Sequence, residues 1–339
     1  MQNLLDPAIL FFVVGVLAGA LRSNLEIPPA IAKFLSLYLL MALGLKGGFA
    51  LHASGLDATV AVSLLAAIAM AFLVPAIGYA FLRRHISGFD AAAVAASYGS
   101  VSAVTFVTAM QFLETQGTPP GGHMAAAMVL MESPAIIMAV LLANMLRQRA
   151  CAPASVVASP GGGAALARFG GGPGTGTPLG KILHESFTDG AQLLLLGAMA
   201  IGFLSGDTGK AVMQPFSGDL FKGMLAFFLL DMGLLVARNF SAARTSSPVL
   251  LGYAVGAPLV HAAIALALGW LLGMAAADTA LLMVLSASAS YIVVPAVLRH
   301  AIPEANPSLY FGLSLGVTFP LNLMLGIPLY AWAARTVLG

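Results

Sequence analysis

Charged residues are scarce in this chain. Only 8% of its 339 residues are Asp, Glu, Lys or Arg, against about 25% in an ordinary soluble protein. A soluble globule of this size could not cover its surface with 15 basic and 13 acidic side chains. The net charge is only +2, so the chain offers no strongly basic face to nucleic acid. The composition therefore argues against soluble enzymes, disordered chains and nucleic-acid binders.

Cysteine and catalytic motifs are scarce as well. Cys151 is the only cysteine, and one thiol can form neither an internal disulfide nor a metal cage. His184 and Glu185 lack the second histidine of a zinc-protease helix, and the chain has no P-loop lysine and no Gly-x-Ser-x-Gly elbow. We therefore expect a protein that is not an enzyme and carries no cofactor.

Hydrophobic residues make up 60% of the chain and give it a mean hydropathy of +0.96. A helix that crosses a bilayer needs about 20 mostly apolar residues. Ten segments approach or exceed this length, and proline, glycine, asparagine or charge ends them. They are residues 7–22, 27–45, 57–82, 90–113, 123–146, 187–204, 216–237, 247–274, 278–298 and 307–334. The sequence predicts an all-α polytopic membrane protein with ten transmembrane helices.

Basic residues are unevenly distributed between the two ends of these spans. The loops on the side of the N-terminus hold 4 of the 15 basic residues, Lys46 among them, and the opposite side holds the other 11. Cytoplasmic loops carry the excess of Lys and Arg. We therefore expect both termini to be extracytoplasmic.

A glycine-rich stretch divides the ten spans into two sets of five. Residues 147–181 include Gly161–Gly163 and Gly170–Gly172, a composition typical of a flexible linker. This predicted cytoplasmic linker separates a first half, residues 1–146, from a second half, residues 182–339.

The two halves share features at a constant offset. Asp90 and Asp278 each begin an alanine-rich span, and Ser102 and Ser290 follow at equal distances, an offset of 188 for both pairs (278 − 90 and 290 − 102). We expect the two acids to act as helix N-caps. With five spans in each half, the second copy would enter the membrane inverted, which is common in secondary transporters. The alternative is a chance likeness among spans rich in alanine, leucine and glycine.

Small hydroxyl residues cluster in the middle of two corresponding spans. They are Ser97, Ser100, Ser102 and Thr105 in the fourth span, and Ser286, Ser288 and Ser290 in the ninth. Serine competes for backbone hydrogen bonds, so a helix can break at such places. Free N–H groups after a break favour an anion, whereas free carbonyls and hydroxyls can hold Na⁺. The alternative is that these small residues let helices pack closely.

One acidic residue lies deep within a predicted span. Glu132 is in the fifth span, where a charge is costly and by default indicates function. It could pair with Lys46 or a hydroxyl, bind a cation or carry a proton. The alternative is that the span begins later and Glu132 lies at the membrane interface.

Five stretches spread over nearly the whole chain carry a family pattern. They are Leu43–Ala50, Gly99–Thr105, Met131–Ala135, Ala257–His261 and Ile302–Ser308. In order and spacing they resemble the sodium-dependent bicarbonate transporter family best known from cyanobacteria. The resemblance implies two inverted five-helix repeats with helices 4 and 9 interrupted, and a core domain that moves against a scaffold, elevator fashion. It also implies a homotrimer in the bacterial inner membrane that imports bicarbonate with Na⁺.

The resemblance also implies which residues bind the ions. Gly99, Ser102 and Thr105 would form the first half-site, and Ser288 and Ser290 the second. The four hydroxyl residues among them would hold Na⁺, which is the coupling ion and not a cofactor. A soluble PII-like trimeric regulator would bind the cytoplasmic face.

The chain departs from the family pattern beside both breaks. Tyr291 stands where the family has an acid, and Ala103 and Val104 stand where it has glycine and serine. The full candidate set for substrate and ions is Gly99, Ser100, Ser102, Ala103, Val104, Thr105, Glu132, Ser286, Ser288, Ser290 and Tyr291. Import of bicarbonate with Na⁺ is the first expectation. The alternatives are another small carboxylate or inorganic anion, with H⁺ coupling through Glu132, and more remotely an anion channel or an intramembrane enzyme.

Overall fold

The computed structural model describes five segments of the chain and two further residues. The segments are residues 6–55, 57–151, 190–244, 247–291 and 301–339, and the two residues are Val294 and Leu298. Within these ranges the secondary structure is helical, with no strand.

The helices are numbered in chain order. They are α1 (Pro7–Ala20), α2 (Pro29–Ser54), α3 (Ala58–Leu82), α4 (Gly88–Gly99), α5 (Ala103–Thr115), α6 (Met124–Cys151), α7 (Gly190–Gln214), α8 (Phe221–Arg244), α9 (Pro248–Leu272), α10 (Ala276–Ala287) and α11 (Pro307–Leu338). A short π-helix, Pro215–Asp219, joins α7 to α8. Two further π-helical segments, Ser314–Thr318 and Asn322–Gly326, interrupt the regular winding of α11.

Seven helical segments among the described residues are long and apolar enough to cross a membrane. Two shorter apolar helices, Pro7–Ala20 and Ala276–Ala287, lie outside that count. The prediction of an all-α polytopic membrane protein is confirmed, whereas the number of ten spans stays a prediction.

Several predicted boundaries are wrong. Helices α7 and α8 continue to Gln214 and Arg244, past the predicted ends at residues 204 and 237. Lys46 was expected in a loop, but α2 continues to Ser54. The glycines that suggested an end of the helix instead allow close packing: a Cβ on Gly48 would lie 2.1 Å from the carbonyl oxygen of Met199. The predicted linker also begins too early, because α6 continues to Cys151. The rest of the linker, and the second half up to residue 189, lie outside the described residues.

The helices of the two halves pack crosswise. Helix α1 packs along α8, and α2 packs along α7. Both contacts depend on glycine: a Cβ on Gly233 of α8 would lie 2.2 Å from the carbonyl oxygen of Phe12, and one on Gly44 of α2 would lie 2.4 Å from that of Leu195. Each pair therefore joins one helix from the first half to one from the second.

The two acids that begin the alanine-rich spans are not N-caps as expected. In both α4 and α10 the capping residue lies three positions earlier. Each acid instead accepts a hydrogen bond from the other half: Asp90 Oδ1 from the N–H of Asn306, and Asp278 Oδ1 from the N–H of Gly121, both at 2.7 Å. A charged acceptor is a strong partner for a backbone N–H group in a loop. Each acid therefore makes a contact between the two halves and does not cap its own helix.

Candidate functional site

The fourth span is interrupted in its middle. Helix α4 ends at Gly99, Ser100 is extended (φ −94°, ψ 170°), and α5 begins at Ala103 after the N-cap Ser102. From residue 91 to residue 111 every side chain except that of Ala103 is buried. A Cβ on Gly99 would lie 2.7 Å from the ring of Pro75, so glycine is required where α4 meets α3. The interruption therefore lies inside the protein, as a break at membrane depth must.

The ninth span also leaves the helical conformation. Helix α10 ends at Ala287, and Ser288 is extended (φ −79°, ψ 168°). The Oγ of Ser290 accepts from the N–H of Val294 at 3.4 Å. Apart from Val294 and Leu298, the remainder of this predicted span lies outside the described residues.

Hydrogen bonds join the two interruptions directly. The N–H of Ser290 donates to the carbonyl oxygen of Ser97 at 2.7 Å, and the Oγ of Ser97 donates to the carbonyl oxygen of Ser290 at 2.5 Å. The N–H of Ser102 donates to the Oγ of Ser288 at 3.0 Å. All four serines are buried. The structure thus brings together hydroxyl residues that are about 190 positions apart in sequence.

The start of α5 offers hydrogen-bond donors. The Oγ of Ser102 accepts from the N–H of Thr105 at 3.2 Å and from its Oγ1 at 3.0 Å. The N–H groups of Ala103 and Val104 donate to no residue that the structure describes. Together with the positive end of the helix dipole, these two donors can stabilise an anion.

The end of α4 offers hydrogen-bond acceptors instead of donors. The carbonyl oxygens of Tyr98 and Gly99 accept no hydrogen bond from the described part of the chain. The Oγ of Ser100 is fully buried and likewise finds no partner there. An unpaired buried hydroxyl costs about 1–3 kcal/mol, so its burial beside free carbonyls is unfavourable unless a ligand satisfies it. Carbonyl and hydroxyl oxygens are ligands for a hard cation such as Na⁺.

The end of α10 differs from the end of α4. The Nδ2 of Asn322 donates to the carbonyl oxygen of Ala287 at 2.7 Å, and the Oγ of Ser288 donates to that of Leu285 at 2.8 Å. The protein itself therefore supplies donors to carbonyls here, and α4 is the end with more free acceptors. No three His, Cys, Asp or Glu side chains lie together in the described ranges, so a transition-metal centre is not indicated there.

The remaining candidate residues are buried but lie in different contacts. The hydroxyl of Tyr291 contacts the sulfur of Met232 on α8 at 3.7 Å and interacts with the side chain of Ser102. The Oγ of Ser286 is buried without a partner among the described groups. Glu132 is buried in α6 and interacts with another group of the protein. Tyr291 therefore places a neutral hydroxyl beside the Ser102 cap.

Sequence reasoning missed the contribution of α11. Thr318 lies in its first π-helical segment and contacts the hydroxyl of Tyr98, and Asn322 opens the second and contacts the end of α10. The only available signal was a polar residue on either side of Pro320 in an apolar span. The π-helical winding that aims these side chains leaves no mark in the hydrophobic pattern.

Comparison with known proteins identifies a family for this chain. A family model described as the Na⁺-dependent bicarbonate transporter superfamily matches residues 7–335, which is nearly the whole chain. The superfamily is one of transporters and not of enzymes. A search of curated proteins finds no match.

Proposed function

We propose that this chain, which belongs to the Na⁺-dependent bicarbonate transporter superfamily, is a secondary active transporter that imports bicarbonate together with Na⁺. Membership confirms the resemblance noted in the sequence and the expectation that the protein is not an enzyme. Transport of bicarbonate with Na⁺ is the activity of the superfamily; the substrate, the direction and the mechanism in this chain are our proposal.

One observation carries the proposal: the single buried break between α4 and α5 has free hydrogen-bond acceptors on one side and free donors on the other. Free carbonyls and the Ser100 hydroxyl end α4, and the free N–H groups of Ala103 and Val104 begin α5. A cation at the first and an anion at the second would lie only a few residues apart along the chain. Each bound ion would lower the cost of burying the other, because opposite charges attract strongly where water is excluded. This is the arrangement that ion-coupled uptake of an anion needs.

Pairs of corresponding contacts support an inverted repeat. The crosswise packing of α1 with α8 and of α2 with α7 is what a two-fold axis in the membrane plane would produce. The hydrogen bonds that Asp90 accepts from Asn306 and that Asp278 accepts from Gly121 are a second such pair. We assign α1, α2, α7 and α8 to a scaffold and the other helices to a core that slides past it. Both termini would be extracytoplasmic.

The assembly and its regulation are inferred from the family resemblance. We propose a homotrimer in the inner membrane and regulation by a PII-like protein on the cytoplasmic face. These two assignments rest on resemblance alone. Crosslinking of the purified protein tests the first, and co-purification with a PII-like trimer tests the second.

A second candidate function is suggested by Tyr291. Because it replaces the acid of the family with a neutral hydroxyl beside Ser102, the anion accepted here could be another small carboxylate or inorganic anion. A buried acid, Glu132, lies in α6 and would carry the proton in this alternative. This alternative predicts uptake that depends on a pH gradient and not on Na⁺.

The test is uptake of labelled bicarbonate into proteoliposomes. With an inward Na⁺ gradient we expect uptake well above that of the same vesicles with K⁺ in place of Na⁺. Dissipating the Na⁺ gradient with an ionophore should abolish the difference, whereas dissipating a pH gradient should not. Failure of Na⁺ to stimulate uptake would refute the primary assignment. Competition by an excess of acetate, formate or nitrate would then identify the second candidate.

A further inference from the structure

Helix α11 contacts both interrupted helices through its irregular turns. The segments Ser314–Thr318 and Asn322–Gly326 are π-helical, and such turns often occur at functional sites. Thr318 closes the first segment and lies against the hydroxyl of Tyr98 at 2.6 Å. Asn322 opens the second segment and binds the backbone at the end of α10. Both residues are buried on the same helix, but Thr318 contacts α4 and Asn322 contacts α10.

The contact of Asn322 is well defined. Its side chain is 1% exposed, its Nδ2 donates to the carbonyl oxygen of Ala287 at 2.7 Å, and its Oδ1 accepts from the hydroxyl of Tyr330 at 3.0 Å. Gly326 leaves the space for this pair, because a Cβ there would lie 2.6 Å from Oδ1 and 3.0 Å from the Tyr330 ring. Both polar ends of the amide are thus satisfied, which fixes its orientation.

The residue after Ala287 links this contact to the ion site. The Oγ of Ser288 donates to the carbonyl oxygen of Leu285 and accepts from the N–H of Ser102, the N-cap of α5. A displacement of the last turn of α10 would therefore move the start of α5. A continuous set of hydrogen bonds and covalent links leads from Tyr330 through Asn322 to Ser102.

We infer that Asn322 is a positioning residue for coupled ion binding, an inference that rests on the proposed function. It holds the end of α10 so that Ser288 aligns the start of α5, where the anion binds. Its Nδ2 also donates to the carbonyl of Ala287. The carbonyls at the end of α4 are then the free acceptors, and the cation binds there. Asn322 touches neither ion. It acts through the backbone of α10 and through Ser288.

Three variants test this role in proteoliposomes, with KM for Na⁺, KM for the anion and the maximal rate measured for each. Asn322→Ala should raise both KM values about tenfold, the upper range for one lost hydrogen bond. Tyr330→Phe keeps the amide but frees its orientation, and should raise them about threefold. It also serves as the milder variant if Asn322→Ala folds poorly. Ser314→Ala is the matched control: it removes a buried hydroxyl of α11 that donates to the carbonyl oxygens of Tyr310 and Phe311 in the same helix, and should leave the KM values unchanged.

The outcomes separate this inference from the proposed function. Absence of Na⁺-stimulated uptake in the unaltered protein would overturn both. An active unaltered protein whose Asn322→Ala and Tyr330→Phe variants lose Tm but keep normal KM values, as Ser314→Ala does, would overturn the positioning role alone. Raised KM values in the two variants, with normal values in Ser314→Ala, would support it.

Discussion

Replacement of Ser102 by alanine is the sharpest single test of the break between α4 and α5. Its Oγ accepts two hydrogen bonds, from the N–H and the Oγ1 of Thr105. With both lone pairs engaged, its own proton is directed away from Thr105, toward the Tyr291 hydroxyl with which Ser102 interacts. An anion at the start of α5 would take this donor from Tyr291. The substitution therefore removes a helix cap and one donor to the substrate.

The two losses differ in magnitude and in the property that each affects. Loss of an N-cap costs about 1 kcal/mol of stability. Loss of a hydrogen bond to a charged ligand costs about 1.5–3 kcal/mol of binding. At about 1.4 kcal/mol for each factor of ten, the second loss corresponds to a rise in the anion KM on the order of 10- to 100-fold.

A matched cap elsewhere separates these effects. Ser87 caps the other end of the same span, where its Oγ accepts from the N–H of Asp90 at 3.1 Å. Ser87→Ala should lower Tm as much as Ser102→Ala does but leave the anion KM unchanged. The measurements are Tm of the purified protein and the concentration dependence of uptake. Equal KM values for the two variants would refute the reasoning and favour simple helix packing at Ser102.

Three further predictions concern the periphery of the site. Lys46 on α2 and Glu114 on α5 form an ion pair at 3.1 Å beside a cavity of about 320 Å³. Because this pair joins the proposed scaffold to the proposed core, Glu114→Gln should change the uptake rate with KM unchanged. The change should be less than about fivefold, since a partly exposed ion pair is weak. Hydrogen bonds from Arg147 hold the pKa of Glu304 below its ordinary value of 4.5, so this pair contributes stability above pH 4.5 that is lost as the pH falls through the lower folded value. The loss of Tm on acidification should therefore be smaller in Arg147→Gln. Gly233→Leu should prevent the packing of α1 on α8 and lower the yield of folded protein, an effect that an unchanged thermal transition would contradict.

The hydrophobic and hydroxyl patterns were sufficient for much of the fold. Segments of apolar residues predicted the helices, and the serines around Gly99 predicted where the fourth span stops being helical. Both are local properties: a run of apolar side chains belongs in lipid, and hydroxyls compete for the hydrogen bonds of their own backbone. The contact between the two breaks could also be predicted from the sequence, because the offset of 188 placed them at corresponding positions.

Tertiary contacts account for the features that could not be predicted. Lys46 lies inside a helix because the glycines beside it pack against α7, and an isolated sequence does not distinguish such glycines from a helix end. Asp90 looked like a cap but receives a bond from Asn306, a residue 216 positions away. Asn322 carried no signal beyond being a polar residue near Pro320, because its importance comes from reaching the carbonyl of Ala287 and not from its own segment.

Under the proposed inverted repeat, the difference between the two interrupted helices explains how similar halves could bind opposite charges. Ser102 and Ser290 occupy equivalent positions, and each Oγ accepts from a backbone N–H three or four residues further along the chain. The preceding helix ends are not equivalent, because Asn322 supplies a donor to α10 and no described residue supplies one to the last two carbonyls of α4. Negative potential therefore remains at α4, where a cation would bind before the anion and place positive charge beside the start of α5. By linkage, whatever factor Na⁺ adds to the affinity for the anion, the anion must add to the affinity for Na⁺. Coupling would then result from an unequal number of hydrogen-bond donors at two helix ends, without a fixed charge in the break itself.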